Sequence, residues 1–208
     1  MFFKSGQFKA ALAKTVDHLF GTSFQNEQQF NEGRVVTQDG FRFRLRQDDI
    51  AEVIGYSGSG KELDIPETVQ GHVVTRVAPF AFSRQRRITA VSIPDTVDSI
   101  GQEAFYICPS LQQVKLPARL KIIGKNAFNY CRALKSVIVP TGTIHIDRHA
   151  FYDCTALKTI SIPDAVGFIG EKVFGADGDA KVECTIVCRQ DSYVEHYAKE
   201  NGILCSFV

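Results

Sequence analysis

Gly55, Gly60 and Lys61 stand at the spacing of a phosphate-binding loop, within Gly55-Tyr56-Ser57-Gly58-Ser59-Gly60-Lys61. Such a loop wraps phosphate oxygens in backbone N–H groups, and its lysine reaches the terminal phosphates. The next position must be Ser or Thr to hold magnesium, and here it is Glu62. The run Glu62-Leu63-Asp64-Ile65-Pro66 also reads as a strand, where that motif opens a helix. The glycines are therefore read as a connection, and no nucleotide is expected. His145, Asp147 and His149 put two imidazoles at i and i+4, a spacing that gathers metal ligands on a helix. Ile144 and Ile146 make this segment read as extended, so the rings are expected to diverge toward solvent. Cys184 and Cys188 lack the second pair that completes a tetrahedral zinc site. Ser192 is better explained as a helix cap than as a nucleophile. No catalytic, cofactor-binding or metal-ligating residue is expected, and the chain reads as not an enzyme.

The elements behind these residues belong to an ordinary globular chain. It has 208 residues, 44% apolar and 23% charged, which excludes a disordered chain, a collagen or a coiled coil. Lys plus Arg (24) balance Asp plus Glu (23) to a net charge of +1, so no global field attracts nucleic acid or membrane. Locally, Arg42, Arg44 and Arg46 share one face of a strand, and Arg84, Arg86 and Arg87 cluster in a loop. Two readings stand for the first cluster: a holder of an anionic partner, or an edge strand kept from aggregating by its charge. Neither cluster is interleaved with exposed aromatics, so no nucleic acid is expected. Lys4, Lys9, Lys14 and Asp17 interrupt the apolar run a secretory signal requires. No stretch approaches the ~20 apolar residues of a transmembrane helix. The expected location is cytoplasmic, with the cell surface or secretion by a non-classical route as the alternative.

Spacing carries more than composition does. Ala81-Phe82, Ala104-Phe105, Ala127-Phe128 and Ala150-Phe151 recur every 23 residues, and Val173-Phe174 continues the series. Ile93-Pro94, Leu116-Pro117, Val139-Pro140 and Ile162-Pro163 keep the same period, and Ile65-Pro66 precedes them by 28. Ile100-Gly101, Ile123-Gly124 and Ile169-Gly170 form a third series, and Leu111, Leu134 and Leu157 a fourth. Cys108, Cys131 and Cys154 keep the period too, so they are expected to stack as buried free thiols. Phe82, Phe105, Phe128, Phe151 and Phe174 are the matching structural rings. Within one unit, Leu134, Val137 and Val139 read as a strand that Pro140 ends. Ile144 and Ile146 read as a second strand, and the segment ending in Ala150-Phe151 as a short helical or 3₁₀ turn. A 23-residue unit cannot bury its apolar face alone and must stack on its neighbours.

Units such as LQQVKLPARLKIIGKNAFNYC closely resemble the BspA-like leucine-rich repeats, whose pattern is L..V.IP..V..IG..AF..C. The resemblance covers roughly residues 35–208. It implies an α+β repeat solenoid, a short leucine-rich-repeat stack with an N-terminal β-hairpin cap and a C-terminal helical cap. For many relatives it also implies cell-surface adhesion, with a host matrix protein or glycan as the target.

The expected divisions follow. Residues 1–33 are an N-terminal helix and linker, 34–60 the β-hairpin cap, 61–180 about five repeats, and 181–208 the C-terminal cap. Asp39-Gly40 between alternating strands is a hairpin signal. Ser192-Tyr193-Val194-Glu195 reads as a capping box, Tyr193, Val194, Tyr197 and Ala198 as a helix face, and Asn201-Gly202 as its stop. Phe8, Leu12, Val16, Leu19 and Phe20 form one helical stripe. Packing on the cap is the plain reading of that stripe. Docking to another protein, self-association through residues 1–33, and lying on a membrane surface are the alternatives. On the repeats, Ser136 and Ile138 are expected to face outward with their equivalents in other units. Ile122, Ile144 and Phe168 are apolar where a solvated second face should be polar. If exposed they mark a partner site; the alternative is a register slip of one residue, which reverses every side chain. The expected function is non-catalytic protein binding by a rigid scaffold whose partner is another protein. The alternative is a bacterial cell-surface adhesion module.

Overall fold

Each unit supplies two short strands and a turn. The computed structural model describes residues 33–176 and 183–208 and stacks them into a repeat β-solenoid of about seven turns. The five units expected over residues 61–180 account for five of these turns; the other two end in Thr185–Cys188 and Leu204–Phe207, within the segment expected as the C-terminal cap, and lack an Ala-Phe pair. Apart from Gly33, the segment read as an N-terminal helix and linker lies outside the described residues.

One wall is a nine-stranded sheet. It opens with β1 (Arg34–Gln38), β2 (Phe41–Leu45) and β3 (Ile50–Tyr56), which pair antiparallel, β1 with β2 across Asp39–Gly40. β6 (His72–Val77) joins β3 in parallel and also pairs β5 (Thr68–Val69). Four two-residue strands continue the parallel ladder: β8 (Ser99–Ile100), β10 (Ile122–Ile123), β12 (His145–Ile146) and β14 (Phe168–Ile169).

The second wall is a column of seven parallel strands in two blocks. β4 (Glu62–Asp64), β7 (Ala90–Ser92) and β9 (Gln113–Lys115) form the first. β11 (Ser136–Ile138), β13 (Thr159–Ser161), β15 (Thr185–Cys188) and β16 (Leu204–Phe207) form the second. Among the described residues, no strand pairing joins β9 to β11.

The third wall carries i→i−3 bonds of the 3₁₀ kind expected there, such as Ala127 N–H to Gly124 O and Tyr152 N–H to His149 O, both at 3.1 Å, and a second set of bonds that the sequence did not announce. Residues on it bond from one turn to the next: Phe82 N–H to Ala104 O, Phe105 to Ala127, Phe128 to Ala150 and Phe151 to Val173, at 2.7–3.1 Å. Two positions per unit hold positive φ. Phe80, Glu103, Asn126, His149 and Lys172 form one series, and Arg84, Ile107, Tyr130 and Asp153 the other. These left-handed residues turn the amides toward the neighbouring unit instead of back along a helix. Gly101, Gly124 and Gly170 pass so close to the preceding turn that a Cβ would lie 2.3–2.8 Å from its backbone.

The core is a stack. The rings of Phe82, Phe105, Phe128, Phe151 and Phe174 lie face to face with centroids 4.9, 5.1, 5.3 and 6.0 Å apart. Leu111, Leu134 and Leu157 are buried beside them. At the other end, Ser192 caps the short helix α1 (Tyr193–Glu200), the one helix among the described residues, its hydroxyl accepting from the Glu195 N–H at 3.2 Å. The Glu195 carboxylate accepts in turn from the Asp191 N–H at 2.6 Å, one residue earlier than in a standard capping box. Val194, Tyr197 and Ala198 bury the helix face, whereas Tyr193 is exposed on its flank and its hydroxyl accepts from the Ile169 N–H.

Candidate functional site

Alternation along each column strand decides what the open face displays. Leu63, Val91, Val137, Ile160 and Ile186 point into the core. Their neighbours point out, and most are small or polar: Ala90, Ser92, Ser136, Thr159, Ser161 and Thr185. Ile138 is the apolar exception in the middle of the column, 76% exposed; toward its end Val187 also faces outward, half-buried, and Leu204 on the last strand is 71% exposed. A β-branched apolar residue held on a rigid strand loses little entropy on being covered.

Ile138 also borders the break in the ladder. The N–H of each residue after a column strand bonds the next turn, as from Ile65 to Ser92 O, Ile93 to Lys115 O, Val139 to Ser161 O and Ile162 to Val187 O. Among the described residues, no such bond runs from Leu116 to Ile138. Val114 is correspondingly half-buried where Val91 and Val137 are fully buried. A shallow groove of about 400 Å³ runs along the first block, bordered by Glu62, Asp64, Ser92, Gln113 and Lys115. The face thus combines one apolar anchor, an opened ladder and a rim carrying both signs of charge. The sequence placed Ile138 outward, but the break beside it leaves no mark in the 23-residue pattern.

The second face corrects an expectation. In register across the long sheet run Arg44, Glu52, Arg76, Ser99, Ile122, His145 and Phe168. No register slip occurs, since Ile100, Ile123, Ile146 and Ile169 lie in the core and Ile122 lies outside it. Yet Ile122 is only 2% exposed, so it is not an open apolar patch. It sits between Ser99 and His145 on adjacent strands, and Ser99 is itself buried. Ile144 and Phe168 are half-buried, and the Phe168 ring stacks on His145 at 4.5 Å.

The arginine cluster is also engaged within the chain. Arg44 and Arg46 reach the buried Glu52 carboxylate at 2.9 and 3.4 Å. Arg42 is exposed, and its guanidinium crosses Gly55, where a Cβ would lie 2.8 Å away. An anionic partner would therefore meet Arg42 as an open charge, but Arg44 and Arg46 as partners of Glu52. Sequence reasoning overlooked Glu52; the signal was its place in β3, opposite Arg44.

The chemistry-bearing motifs separate. Gly60 N–H donates to the Tyr56 hydroxyl at 3.0 Å, and the chain continues into β4 rather than a helix. His145 lies on β12, 4.0 Å from Asp147, whereas His149 packs on Tyr152 in the turn. Burial lowers the His145 pKa, partly opposed by Asp147. His149 is also lowered, first by burial and then by Arg148, Lys172 and Lys125. Among the described residues, no group of three His, Cys, Asp or Glu is placed to hold a metal ion. All six cysteines are free thiols. Burial holds the Cys131 and Cys154 thiols well above the ordinary range and pushes Cys184 and Cys188 up to about 11. A protonated, buried thiol is a poor nucleophile. No helix among the described residues is long and apolar enough to cross a membrane.

Comparison with known proteins matches residues 56–185 to six copies of the BspA-type leucine-rich repeat. No curated protein matches the chain. Among solved structures, a T. pallidum leucine-rich repeat protein is similar at 28% identity and a TM-score of 0.68, over 74% of this chain and 71% of that one. A leucine-rich repeat protein from Bacteroides capillosus is 31% identical with a TM-score of 0.56, over 61% of this chain and 96% of that one. A leucine-rich cell surface protein from Faecalibacterium prausnitzii A2-165 is 28% identical with a TM-score of 0.62, over 78% of this chain. This chain spans 47% of that protein's length.

Proposed function

The chain belongs to the BspA-type leucine-rich repeat family, and from that premise we propose that it is a non-catalytic protein-binding module that engages another protein on its column face. Repeats of this kind typically mediate protein interaction, and their fold is generally a non-enzymatic scaffold. Ile138 carries the reading: a large apolar side chain, 76% exposed, on a rigid strand among small polar neighbours. Binding energy in such an interface concentrates in a few anchors that a partner pocket desolvates. The strands β1–β3 act as the hairpin cap of one end and α1 as the helical cap of the other. That leaves the flat column between them as the recognition surface. The test replaces Ile138 by a photo-crosslinking phenylalanine in the source cells and identifies the captured protein. Against that purified partner, Ile138→Asp should weaken binding by roughly tenfold or more without changing the melting temperature. Equal affinity for the parent and Ile138→Asp proteins would sink the reading.

A second reading places the same module at a cell surface, as an adhesion unit for a host matrix protein or glycan. It is favoured by the similarity to the F. prausnitzii leucine-rich cell surface protein. Protease shaving of intact cells decides it. Loss of the protein while a cytosolic marker survives is the expected outcome for an adhesin, and full protection excludes it.

A further inference from the structure

The column finishes on an open strand. Among the described residues, β16 pairs with β15 alone, and Leu204, Phe207 and Val208 are 71%, 51% and 89% exposed. The Val208 N–H donates to Cys188 O at 3.2 Å. Bonding alternates along a parallel ladder, so Leu204, Ser206 and Val208 turn their backbone groups to β15. Cys205 and Phe207 turn theirs the other way, to the unpaired edge. Phe207 also stands in register with the buried Cys188, so its ring points to the core side of the sheet while half of it stays open.

The long sheet's two edges and the column's first edge carry protection that β16 lacks. β14 is stopped by α1, whose Tyr193 hydroxyl accepts from the Ile169 N–H at 3.3 Å. β1 begins with the exposed Arg34, and β4 carries Glu62 and Asp64, both exposed. Charge on an edge strand guards against pairing with another chain. The run Leu204-Cys205-Ser206-Phe207-Val208 has no charge, proline or glycine. Its own reverse is the strand that fits it. Laid antiparallel about Ser206 on a second copy, Leu204 falls opposite Val208, Cys205 opposite Phe207, and Ser206 opposite its counterpart. The groups that point to the free edge, on Cys205 and Phe207, then become hydrogen-bonded pairs, each exchanging both N–H···O bonds. Leu204 and Val208 meet at non-hydrogen-bonded positions, where side chains approach closest. Head-to-tail pairing on β4 would instead set Leu204 and Ser206 beside Glu62 and Asp64, and it would not close. A net charge of +1 leaves little repulsion between two copies.

We propose that the chain forms a two-fold homodimer through β16, the strands of two copies pairing antiparallel about Ser206 so that two columns become one continuous sheet. The axis stands perpendicular to that sheet and keeps both column faces on the same side. The two Ile138 side chains then lie seven strand steps apart, about 34 Å. A target that repeats its epitope is held at two points, which multiplies a weak single contact. The dimer rests on the register and edge of β16, independently of whether Ile138 is an anchor.

Analytical ultracentrifugation of the full chain should give the mass of two chains. A monomer at every concentration, or a series that grows past two, would overturn the proposal. Paired charges test the register. Leu204→Lys with Val208→Lys sets like charges opposite each other and should weaken the dimer on the order of tenfold or more, whereas Leu204→Lys with Val208→Glu sets opposite charges there and should restore it. Both positions are exposed, so the melting temperature of each variant should match the parent. Equal dimer affinity for the two variants would overturn the proposal. A covalent trap reads the axis itself. Ser206→Cys, in a Cys205→Ser background, places two thiols at a non-hydrogen-bonded pair with Cα atoms about 4.5 Å apart, within disulfide reach. Oxidation by copper phenanthroline in air should link two chains on a non-reducing gel, and failure to link them would overturn the proposal.

Discussion

The Cys131 thiol donates a hydrogen bond to the carbonyl oxygen of Phe105 at 3.2 Å. Cys108 repeats the contact with Phe82, and Cys154 with Phe128. The Phe82 and Phe128 carbonyls also accept from the N–H groups of Gln85 and Cys131, whereas the Phe105 carbonyl depends on the thiol of the next turn. Cys131→Ala removes the donor and leaves that oxygen buried without a partner. It should destabilise the fold by about 1–3 kcal/mol in denaturant titration. In the native protein, iodoacetamide should modify the half-exposed Cys205 and spare the stacked thiols, as peptide mapping will show.

Phe128 lies face to face between Phe105 and Phe151. Phe128→Ala opens a hole in the middle of this column of rings, where neither neighbour can tilt without losing its own stack. The expected loss is about 3–5 kcal/mol. A melting temperature within a degree of the parent protein would contradict the stacked core.

Ile107 holds φ at 54°. A β-branched residue is strained in the left-handed region, and Asn tolerates it. Ile107→Asn should therefore stabilise the protein by about 1 kcal/mol and raise the melting temperature by about 2–4 °C. Unchanged or lower stability would show that Ile107 packing outweighs its backbone strain.

The pH dependence has a definite sign on both sides. Burial lowers the His145 pKa below its ordinary value of 6.5, so near-neutral and higher pH carries full stability. As pH falls through 6.5 the unfolded chain takes up a proton that the folded chain resists, and stability is lost until the folded pKa is passed. The buried thiols act oppositely. Their raised pKa keeps stability intact below the unfolded value of 9.0 and removes it as pH rises beyond. Melting temperatures should decline on acidification from about pH 8 to about pH 5, and less steeply in His145→Gln. An identical acid slope in both proteins would remove His145 from the account.

Much of this architecture was legible because periodic burial leaves periodic letters. Phe, Cys and Leu recur at 23 residues because each must meet its own copy in the next turn. The turn wall was read as a helical or 3₁₀ turn, and its i→i−3 bonds fit that; the ladder between units was missed, since Ala-Phe-x-x-Cys spacing fits a helix as well as it fits a ladder of left-handed residues. Nothing in Glu103 or Tyr130 announces positive φ, as a glycine would. The open side chain of Ile138 follows from alternation along a strand. The burial of Ile122 does not, because a residue's own position says which way it points and not how closely its neighbours on the adjacent strands flank it.

The interrupted pairing between β9 and β11 has a mechanical consequence. The long sheet is laced continuously from β1 to β14, while the column is laced in two pieces. At that level the Lys135 N–H to Gln112 O bond, at 3.2 Å, still ties the two blocks, and the turn wall is bonded from Phe105 N–H to Ala127 O. The gap beside Val114 and Ile138 is therefore the weakest joint of the column, the one that any bending of the solenoid would widen first. A molecule gripping Ile138 would also read, and set, the curvature of the whole rod.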